Sequence, residues 1–184
     1  MKIAIHQPNF FPWYPFFEKM KKADIFIVMT HCQFEKNGYQ NRFNMFNRWY
    51  TMRVPKGIDL ISSKSYLDAE NDWERIKRRL PEFNLHIFDD CITGNIALCN
   101  LAIIKRIAEI LNIKTEITND YYTELKRTDR LVDLCKFYNA DTYISGPSGK
   151  DYLEIDKFKK EGIKVEFHEN RIKEPILWIL KESL

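Results

Sequence analysis

The chain has 184 residues and a mass of 22.1 kDa, which is long enough to bury a core of its own. Hydrophobic residues make up 45% and charged residues 30%, and 29 basic against 26 acidic side chains give a net charge of +3. This composition excludes a disordered chain and a bilayer-spanning protein, and the balanced charge gives no sign of nucleic-acid binding. We expect a single globular domain over residues 1–184.

The cysteines and the first residues indicate the compartment. Four cysteines show neither C-x-x-C nor a paired ligand spacing, so we expect no metal site and a reducing environment. The N-terminus reads as a strand followed by polar residues and proline, which is unlike a secretory signal. These features predict a cytoplasmic protein without membrane insertion.

The segment from Met1 to Trp13, MKIAIHQPNFFPW, joins a buried strand to a polar end. Pro8 ends the strand because it has no N–H to donate. Polar side chains beyond the carboxyl end of a strand face the usual ligand crevice of an open α/β sheet, so His6, Gln7 and Asn9 are candidate site residues. Alternatively, His6 is a satisfied half-buried histidine and Asn9 is a helix N-cap.

A short amphipathic helix and a second buried strand follow. The apolar stripe of the helix consists of Trp13, Phe16, Phe17 and Met20. Ile25 to Met29 is an apolar run of strand length, so this opening predicts a βαβ unit whose two strands are adjacent and parallel. Charge runs on helices usually face solvent, which is the expectation for Lys19, Lys21 and Lys22.

Further helices and strands alternate along the chain. Thr93-Gly94-Asn95 offers a cap for a helix through Leu111, a second helix contains Trp73, Ile76 and Leu80, and Thr128 caps a third. The strand candidates are Lys114 to Thr118, Thr142 to Ser145 and Ile163 to Phe167. This alternation predicts a three-layer α/β fold with a mostly parallel sheet.

The stretch from Trp49 to Ser62 departs from this alternation. Arg48 to Val54 alternates, Pro55-Lys56-Gly57 signals a turn, and Ile58 to Ile61 follows. The pattern predicts either a hairpin or a small β excursion from the main sheet, and the segment is placed to act as a flap.

The loop after the second strand supplies further polar residues. In a parallel sheet this loop opens at the same edge as His6, and two polar loops there frame one pocket. Its amides and cations suit hydroxyl- and phosphate-bearing ligands, and the candidates are Gln33, Lys36, Asn41 and Arg42. The alternative is a solvated loop. A nucleophile–base pair of His31 and Cys32 is disfavoured because adjacent residues on extended backbone point apart.

Two later loops also follow strands. The run SGPSGKDY resembles a phosphate cradle with Lys150 as the cation, but its glycines lack the P-loop spacing, and the alternative is an ordinary loop. Asp120 is the best-placed carboxylate for general-base catalysis or for holding a ribose hydroxyl, and the alternative is a turn aspartate.

Three segments together resemble the WbqC-like proteins of bacterial polysaccharide loci. They are HQPNFFPW, DIFIVM with CQFEKNGYQNR, and RTDRLVDLCKFYNADTYISGPSGKDYL. The resemblance covers about residues 1–152 and extends more loosely to His168. It implies a bacterial cytoplasmic protein of O-antigen, capsule or flagellar sugar assembly. The implied activity is that of a transferase or ligase that moves an amino-acid-like acyl group to an aminosugar nucleotide, of the acyltransferase, aminoacyltransferase or adenylate-forming type. The alternative is a non-catalytic protein that binds a nucleotide-sugar or carrier.

The family motifs map onto individual positions of this chain. They fall on His6, Gln7, Pro8, Asn9, Gln33, Lys36, Gln40, Asn41, Arg42, Arg130, Ser145, Gly146, Pro147, Gly149, Asp151 and Tyr152. In the enzyme hypothesis His6 is a hydrogen-bond donor or acid/base, and Asp120 is the second catalytic candidate. Lys36, Arg42 and Lys150 hold negative charge, while Gln33, Asn41 and Asp120 position the acceptor. A nucleoside triphosphate with Mg²⁺ is the candidate cofactor, and the oligomeric state stays open.

Two departures from the family pattern stand out. Thr30, His31 and Cys32 occupy positions where the family commonly has acidic residues, which leaves an acid-dependent step at that loop open. The short C-terminal part after His168 is only faintly similar to the family ending.

The opening is also distantly similar to HUP-type nucleotidyltransferases and adenylate-forming ligases, such as pantothenate synthetase. In those proteins a histidine-containing turn follows the first strand, comparable to His6, and a Q-F pair follows the second, comparable to Gln33-Phe34. The H-x-x-H signature is absent, because Asn9 stands three residues after His6. The resemblance implies a Rossmann-like (HUP-like) sheet.

Overall fold

The computed structural model describes residues 1–181 and contains a parallel sheet beside a small antiparallel hairpin. Seven strands occur in these residues: β1 (Lys2–His6), β2 (Ile25–Val28), β3 (Arg42–Met45), β4 (Arg48–Thr51), β5 (Glu116–Asn119), β6 (Thr142–Ser145) and β7 (Lys164–Phe167). The sheet has the order β5-β2-β1-β6-β7, and all its pairs are parallel. The hairpin consists of β3 and β4. The predicted α/β class with a small β excursion is therefore confirmed.

Helices connect the strands of the sheet. The α-helices of the described part are α1 (Tyr14–Met20), α2 (Ala69–Arg79), α3 (Ile96–Ile110), α4 (Arg127–Phe137), α5 (Ile155–Lys160) and α6 (Ile176–Leu180). Within residues 1–181 no helix has the length and apolar character needed to cross a bilayer.

The first strand lies at the point where the strand order reverses. Ile3 pairs with Ile25 of β2 on one side and with Tyr143 of β6 on the other. The chain adds β2 and then β5 on the first side, and β6 and then β7 on the second. The expected parallel pairing of the first two strands is confirmed. Ligands of open α/β sheets bind beyond the carboxyl ends of the strands at such a reversal, which here is the edge between β1 and β6.

Alternating side chains of β1 separate the core into two layers. Ala4 belongs to the apolar cluster that includes residues of α1, α2, α3 and α6. Ile3 and Ile5 belong to a second cluster, which includes Leu134 of α4 and Phe158 of α5. Because successive side chains of a strand point to opposite faces, helices cover both faces of the sheet. The three-layer architecture is thus confirmed.

The hairpin lies earlier in the chain than the sequence predicts. Its turn is formed by Phe46 and Asn47, both with positive φ (53° and 57°), as a two-residue hairpin turn of right-handed twist requires. The segment after Pro55-Lys56-Gly57 instead runs beside the loop that follows β2, where the Phe34 N–H donates to the Asp59 carbonyl over 2.9 Å. The hairpin alternative is wrong for this segment, because Pro55-Lys56-Gly57 marks a change of chain direction without specifying which segments pair.

Two helix expectations also need correction. Lys126, not Thr128, is the N-cap of α4; the Thr128 hydroxyl accepts the Glu154 N–H over 3.2 Å instead. Lys21 and Lys22 are exposed as predicted, but Lys19 is only 4% exposed. Lys19 follows Phe16 by three residues and so lies on the buried stripe of α1.

Candidate functional site

Two cavities open at the carboxyl edge of the sheet, on either side of His6. The larger, which we call the main cleft, has a volume of about 1150 Å³ and is bordered by the loops after β1, β2 and β5 and by the start of α4. The smaller, which we call the side cavity, has a volume of about 300 Å³ and lies between the start of α1 and the segments after β6 and β7. His6 and Ser148 line both cavities.

His6 is held as a neutral ring in a defined tautomer. Its Nδ1 lies 3.0 Å from the Gln7 carbonyl oxygen. A carbonyl only accepts hydrogen bonds, so Nδ1 carries the proton and Nε2 is an acceptor. Burial, together with the charge of Lys19, lowers the pKa of His6 to about 3. The hydrogen bond to Gln7 raises the pKa by less than these two effects lower it. His6 therefore presents an uncharged imidazole at neutral pH.

A buried carboxylate joins the walls of the main cleft. Asp120 Oδ1 accepts hydrogen bonds from the backbone N–H groups of Thr30 (2.8 Å) and His31 (3.2 Å), and it lies 3.0 Å from His31 Nδ1. Asp120 Oδ2 pairs with the Arg130 guanidinium, whose Nη1 donates to the His31 carbonyl over 2.7 Å. The carboxylate thus ties the loops after β2 and β5 to α4. The side chain of Asp120 has no exposed surface, so it positions neighbours rather than facing the cleft.

A buried amide fixes the loop after β1. Asn100 of α3 is fully buried, and its Nδ2 donates to the carbonyls of Pro8 and Gln40, each over 2.7 Å. Gln40 Nε2 donates in turn to Gln7 Oε1 over 2.6 Å. Two satisfied donors of one amide therefore hold the loop that carries His6 and Gln7 against the chain leading into β3.

Cations and aromatic rings line the far side of the main cleft. Lys126, Arg127 and Arg130 lie there at the first turn of α4, whose N-terminus has no side-chain cap. The helix dipole adds positive potential at this end. Tyr122 and Tyr152, which are 63% and 60% exposed, present aromatic rings to the same space. This wall combines groups suited to phosphate and to a flat heterocycle.

Arg127 adopts a backbone conformation that is rare for its residue type. Its φ is 51°, in the left-handed region that side chains other than glycine, asparagine and aspartate seldom adopt. Such a conformation costs about 1–2 kcal/mol, and outliers of this kind cluster at ligand sites.

The main cleft also carries negative charge and one thiol. Glu35 and Glu124 line it and are exposed, and Asp59 is held by Lys64 at 2.7 Å. Cys32 Sγ donates to the Met29 carbonyl over 3.2 Å, and burial raises the pKa of the thiol to about 12. A protonated thiol is a poor nucleophile, in line with the disfavoured pairing of Cys32 with His31.

The predicted site residues separate into three groups in the structure. The main cleft is lined by His6, Gln7, Gln33, Arg130 and Tyr152, and the side cavity by His6, Asn9 and Gly146. The others lie outside both linings: Lys36, Gln40, Asn41, Arg42, Asp120, Ser145, Gly149 and Lys150.

The residues outside the cavities have structural contacts instead. The Arg42 guanidinium stacks on Trp49 at 4.0 Å, and Asn41 Nδ2 donates to the Met52 carbonyl over 2.7 Å. Lys150 is exposed, with Nζ 5.6 Å from the centre of the Phe167 ring. Lys36 is exposed and Asn41 is buried.

The predicted phosphate cradle folds inward. Pro147–Asp151 forms a short 3₁₀ helix, and the Gly149 N–H donates to the Gly146 carbonyl over 3.0 Å. A side chain at Gly149 would collide with Ser145 Oγ and with Leu153. The glycine thus allows close packing on β6, and its N–H points to the loop rather than to an anion.

Sequence reasoning missed three buried polar residues around the site: Lys19, Asn100 and His168. The two helical residues, Lys19 and Asn100, have a signal in the spacing of their apolar neighbours. Asn100 falls three residues after Ala97 and four before Ile104, which places it on the apolar stripe of α3. A lone polar residue on such a stripe needs partners, and its partners are the site loops. His168 directly follows β7 and carries no periodic signal.

No metal centre is evident in the described part of the chain. Within residues 1–181, no three His, Cys, Asp or Glu side chains are grouped so that they could hold a metal ion.

Comparison with known proteins identifies the family. The model of the WbqC-like protein family matches residues 7–175, so the chain belongs to that family. It is also similar to a protein of Mycobacterium tuberculosis described as "Uncharacterized protein Rv1507c". The two are 29% identical over 185 residues, covering 89% of this chain and 80% of the relative. No solved structure matches the chain.

The neutrality of His6 gives a prediction about pH. An unfolded histidine binds a proton below about pH 6.5, whereas folded His6 does so only near pH 3, so the unfolded state binds more protons between these values. His6 should therefore lower the free energy of unfolding as pH falls through this window, by up to about 1.4 kcal/mol per pH unit.

Denaturant unfolding of wild type and His6→Gln from pH 4 to pH 7 measures this effect. The difference in stability should shift in favour of His6→Gln as pH falls. A difference independent of pH would contradict a half-buried, neutral His6.

Proposed function

We propose that the main cleft binds a nucleoside diphosphate aminosugar and that the protein transfers an acyl group to the sugar amine. The proposed setting is surface polysaccharide biosynthesis in the bacterial cytoplasm, which the family membership supports. The main support for this proposal is the composition of one cleft, which lies where the strand order reverses. It is bordered by three cations at the start of α4, two exposed tyrosines and the neutral His6.

The charges of the cleft support the ligand class. Lys126 and Arg127 offer charge-assisted donors to a diphosphate at an uncapped helix start, where anions are favoured. Tyr122 or Tyr152 can stack on a base. Glu35 and Glu124 suit an ammonium group, which an aminosugar has and a plain sugar lacks. The cleft volume of about 1150 Å³ exceeds the usual range of about 300–1,000 Å³ and leaves room for both halves of such a ligand.

His6 is suited to the transfer step itself. The amine nitrogen attacks the carbonyl carbon of an activated acyl group and forms the C–N bond. The bond from that carbon to the leaving group breaks, and the leaving group departs with the electron pair. The amine loses a proton, which the departing leaving group takes up, and His6 Nε2 accepts a hydrogen bond from the attacking amine because Nδ1 is already committed to Gln7. Gln7 and Gln33 offer amides for the sugar hydroxyls. No step here depends on a metal ion held by the protein.

The strained residue at α4 provides a test of binding. In Arg127→Gly the positive φ is retained without strain, so the protein should be as stable as wild type or more stable, by up to about 1 kcal/mol. The affinity for UDP-glucosamine should nevertheless fall by about tenfold, since a phosphate donor is lost.

Asn139→Gly is the matched control, because Asn139 has a φ of 52° but lies outside the lining of the main cleft. It should leave the affinity unchanged in calorimetric titration. Equal affinity of wild type and Arg127→Gly would count against a diphosphate at this helix start.

Catalysis is tested by mass spectrometry of the nucleotide. UDP-glucosamine is incubated with the protein and either acyl-coenzyme A thioesters or ATP, Mg²⁺ and a mixture of amino acids. We expect an N-acylated nucleotide sugar, and we expect His6→Gln to form it about a hundredfold more slowly while remaining folded, because the amine is then held less well for attack. Tight binding of UDP-glucosamine without any acylated product would refute the transfer and favour the non-catalytic alternative.

A further inference from the structure

We propose that the side cavity binds a small carboxylic acid with an apolar or aromatic body, whose carboxylate lies between Lys19 and His168. This assignment deepens the proposed function, because it names the class of the second substrate or of its acyl part. Only the role of the acid as a substrate rests on the proposed function, because binding of the acid can be tested by itself.

The walls of the side cavity define the body of the ligand. Phe10, Phe16 and Trp13 line it together with prolines 12 and 15. Phe10 and Phe16 are buried, whereas Trp13 is 37% exposed and reaches the opening. The volume of about 300 Å³ is at the lower end of the range for ligand cavities, so it suits a small molecule and excludes a whole nucleotide-sugar.

An unpartnered buried histidine points to a polar ligand group. His168 is 4% exposed and lines the cavity, and neither of its ring nitrogens has a hydrogen-bond partner among residues 1–181. Its Nε2 lies 3.9 Å from Glu18 Oε2, another buried atom without a partner in that part of the chain. Buried polar atoms are rarely left unsatisfied, so a missing partner is a reason to infer a ligand.

One protonated ring would satisfy both sides. In the imidazolium form both nitrogens donate. Nε2 can then donate to Glu18, and Nδ1 can donate to an incoming carboxylate. An amide or hydroxyl brings no negative charge, so it would not favour the protonated ring. The neutral ring has only one N–H and could not donate to both Glu18 and the ligand.

Charge selects a carboxylate over an ammonium group. Lys19 is buried beside the cavity, where Nζ donates to the Ile5 carbonyl over 3.0 Å, and Lys173 lines the exposed rim. Glu18 opposes them with one negative charge, which a protonated His168 neutralises. Burial lowers the pKa of His168, and the charges of Lys22 and Arg171 lower it further while Glu18 raises it, so the ring gains its proton only together with an incoming anion. The cavity therefore offers an anion two lysines and a histidine donor.

Lys19 makes the binding dependent on pH. Burial lowers its pKa to about 7, so the free protein loses this charge as pH rises through neutrality. The charged or titratable groups around it are His6, Glu18, His168 and Lys173. Carboxylate affinity should fall as pH rises above about 7, because Lys19 becomes neutral.

Three probes of equal shape test the assignment. Phenylacetate, phenylacetamide and phenethylamine are titrated separately by calorimetry, and the Trp13 indole N–H is followed by NMR. We expect phenylacetate to bind at least tenfold more tightly than the other two at pH 6.5 and to shift the Trp13 signal. Phenethylamine as the best ligand, or a ranking independent of charge, overturns the proposal.

Variants of two lysines on one helix provide the control. Lys19→Met should reduce the preference for phenylacetate and make its decline above about pH 7 shallower, whereas Lys21→Met, at an exposed position, should leave both unchanged. If Lys19→Met does not fold, Lys173→Gln at the rim is used in its place. We expect this variant to lose phenylacetate affinity severalfold. An unchanged affinity would contradict the charge argument.

Separate titration with UDP-glucosamine distinguishes the two proposals. If UDP-glucosamine binds and none of the three probes binds at concentrations up to about 10 mM, only the proposed acid site is wrong. That limit corresponds to an affinity about a hundredfold weaker than a Kd of about 0.1 mM. If phenylacetate binds and UDP-glucosamine does not, only the proposed function is wrong.

Discussion

The buried pair of Asp120 and Arg130 is the interaction on which the main cleft depends. It links the loop after β2, the loop after β5 and the first turn of α4 through one carboxylate that accepts hydrogen bonds from several donors. Burying two charges costs free energy that good geometry recovers, and removal of one partner leaves the other charge uncompensated. These three segments carry Gln33, Tyr122 and the cations of α4, so their relative position is fixed before any ligand arrives. Preorganisation of this kind lowers the entropic cost of binding.

The position of His6 connects the two cavities. It lies at the carboxyl end of the central strand, where the strand order reverses, and it borders the nucleotide-sized cleft on one side and the aromatic cavity on the other. A neutral imidazole with one free nitrogen can accept a hydrogen bond from a group in either cavity without adding charge between them. Lys19 lies close enough to depress the pKa of His6, so occupation of the side cavity by an anion would weaken that effect. If both proposed ligands bind, their sites are thus coupled electrostatically through a single ring.

The sequence predicts the sheet well and part of the lining of the two cavities. Apolar runs such as Ile25 to Val28 identify buried parallel strands, and His6, Gln7 and Gln33, which follow or end such strands, line the main cleft. The family motifs include residues that line a cavity and residues that only stabilise the fold, and the sequence alone does not separate the two. Gly149 and Asn41 are held by packing and backbone hydrogen bonds, as the collision at Ser145 and the bond to Met52 show. The burial of Lys19 is not predicted, because a lysine is expected to be exposed whatever its position on a helix. The Ile5 carbonyl, which accepts a hydrogen bond from its Nζ, is distant in sequence and so gives no local signal.

Chemical-shift mapping of ¹⁵N-labelled protein with UDP-glucosamine tests most directly whether the edge between β1 and β6 is the binding site. The account predicts that the largest amide shifts fall in the loop segments 6–9, 31–35 and 121–130 and in 146–152, which border the main cleft. The amides of β3 and β4 should change little, since the hairpin lies outside the lining of that cleft. Shifts concentrated in the hairpin, or no shifts at a nucleotide concentration of several millimolar, would contradict the account.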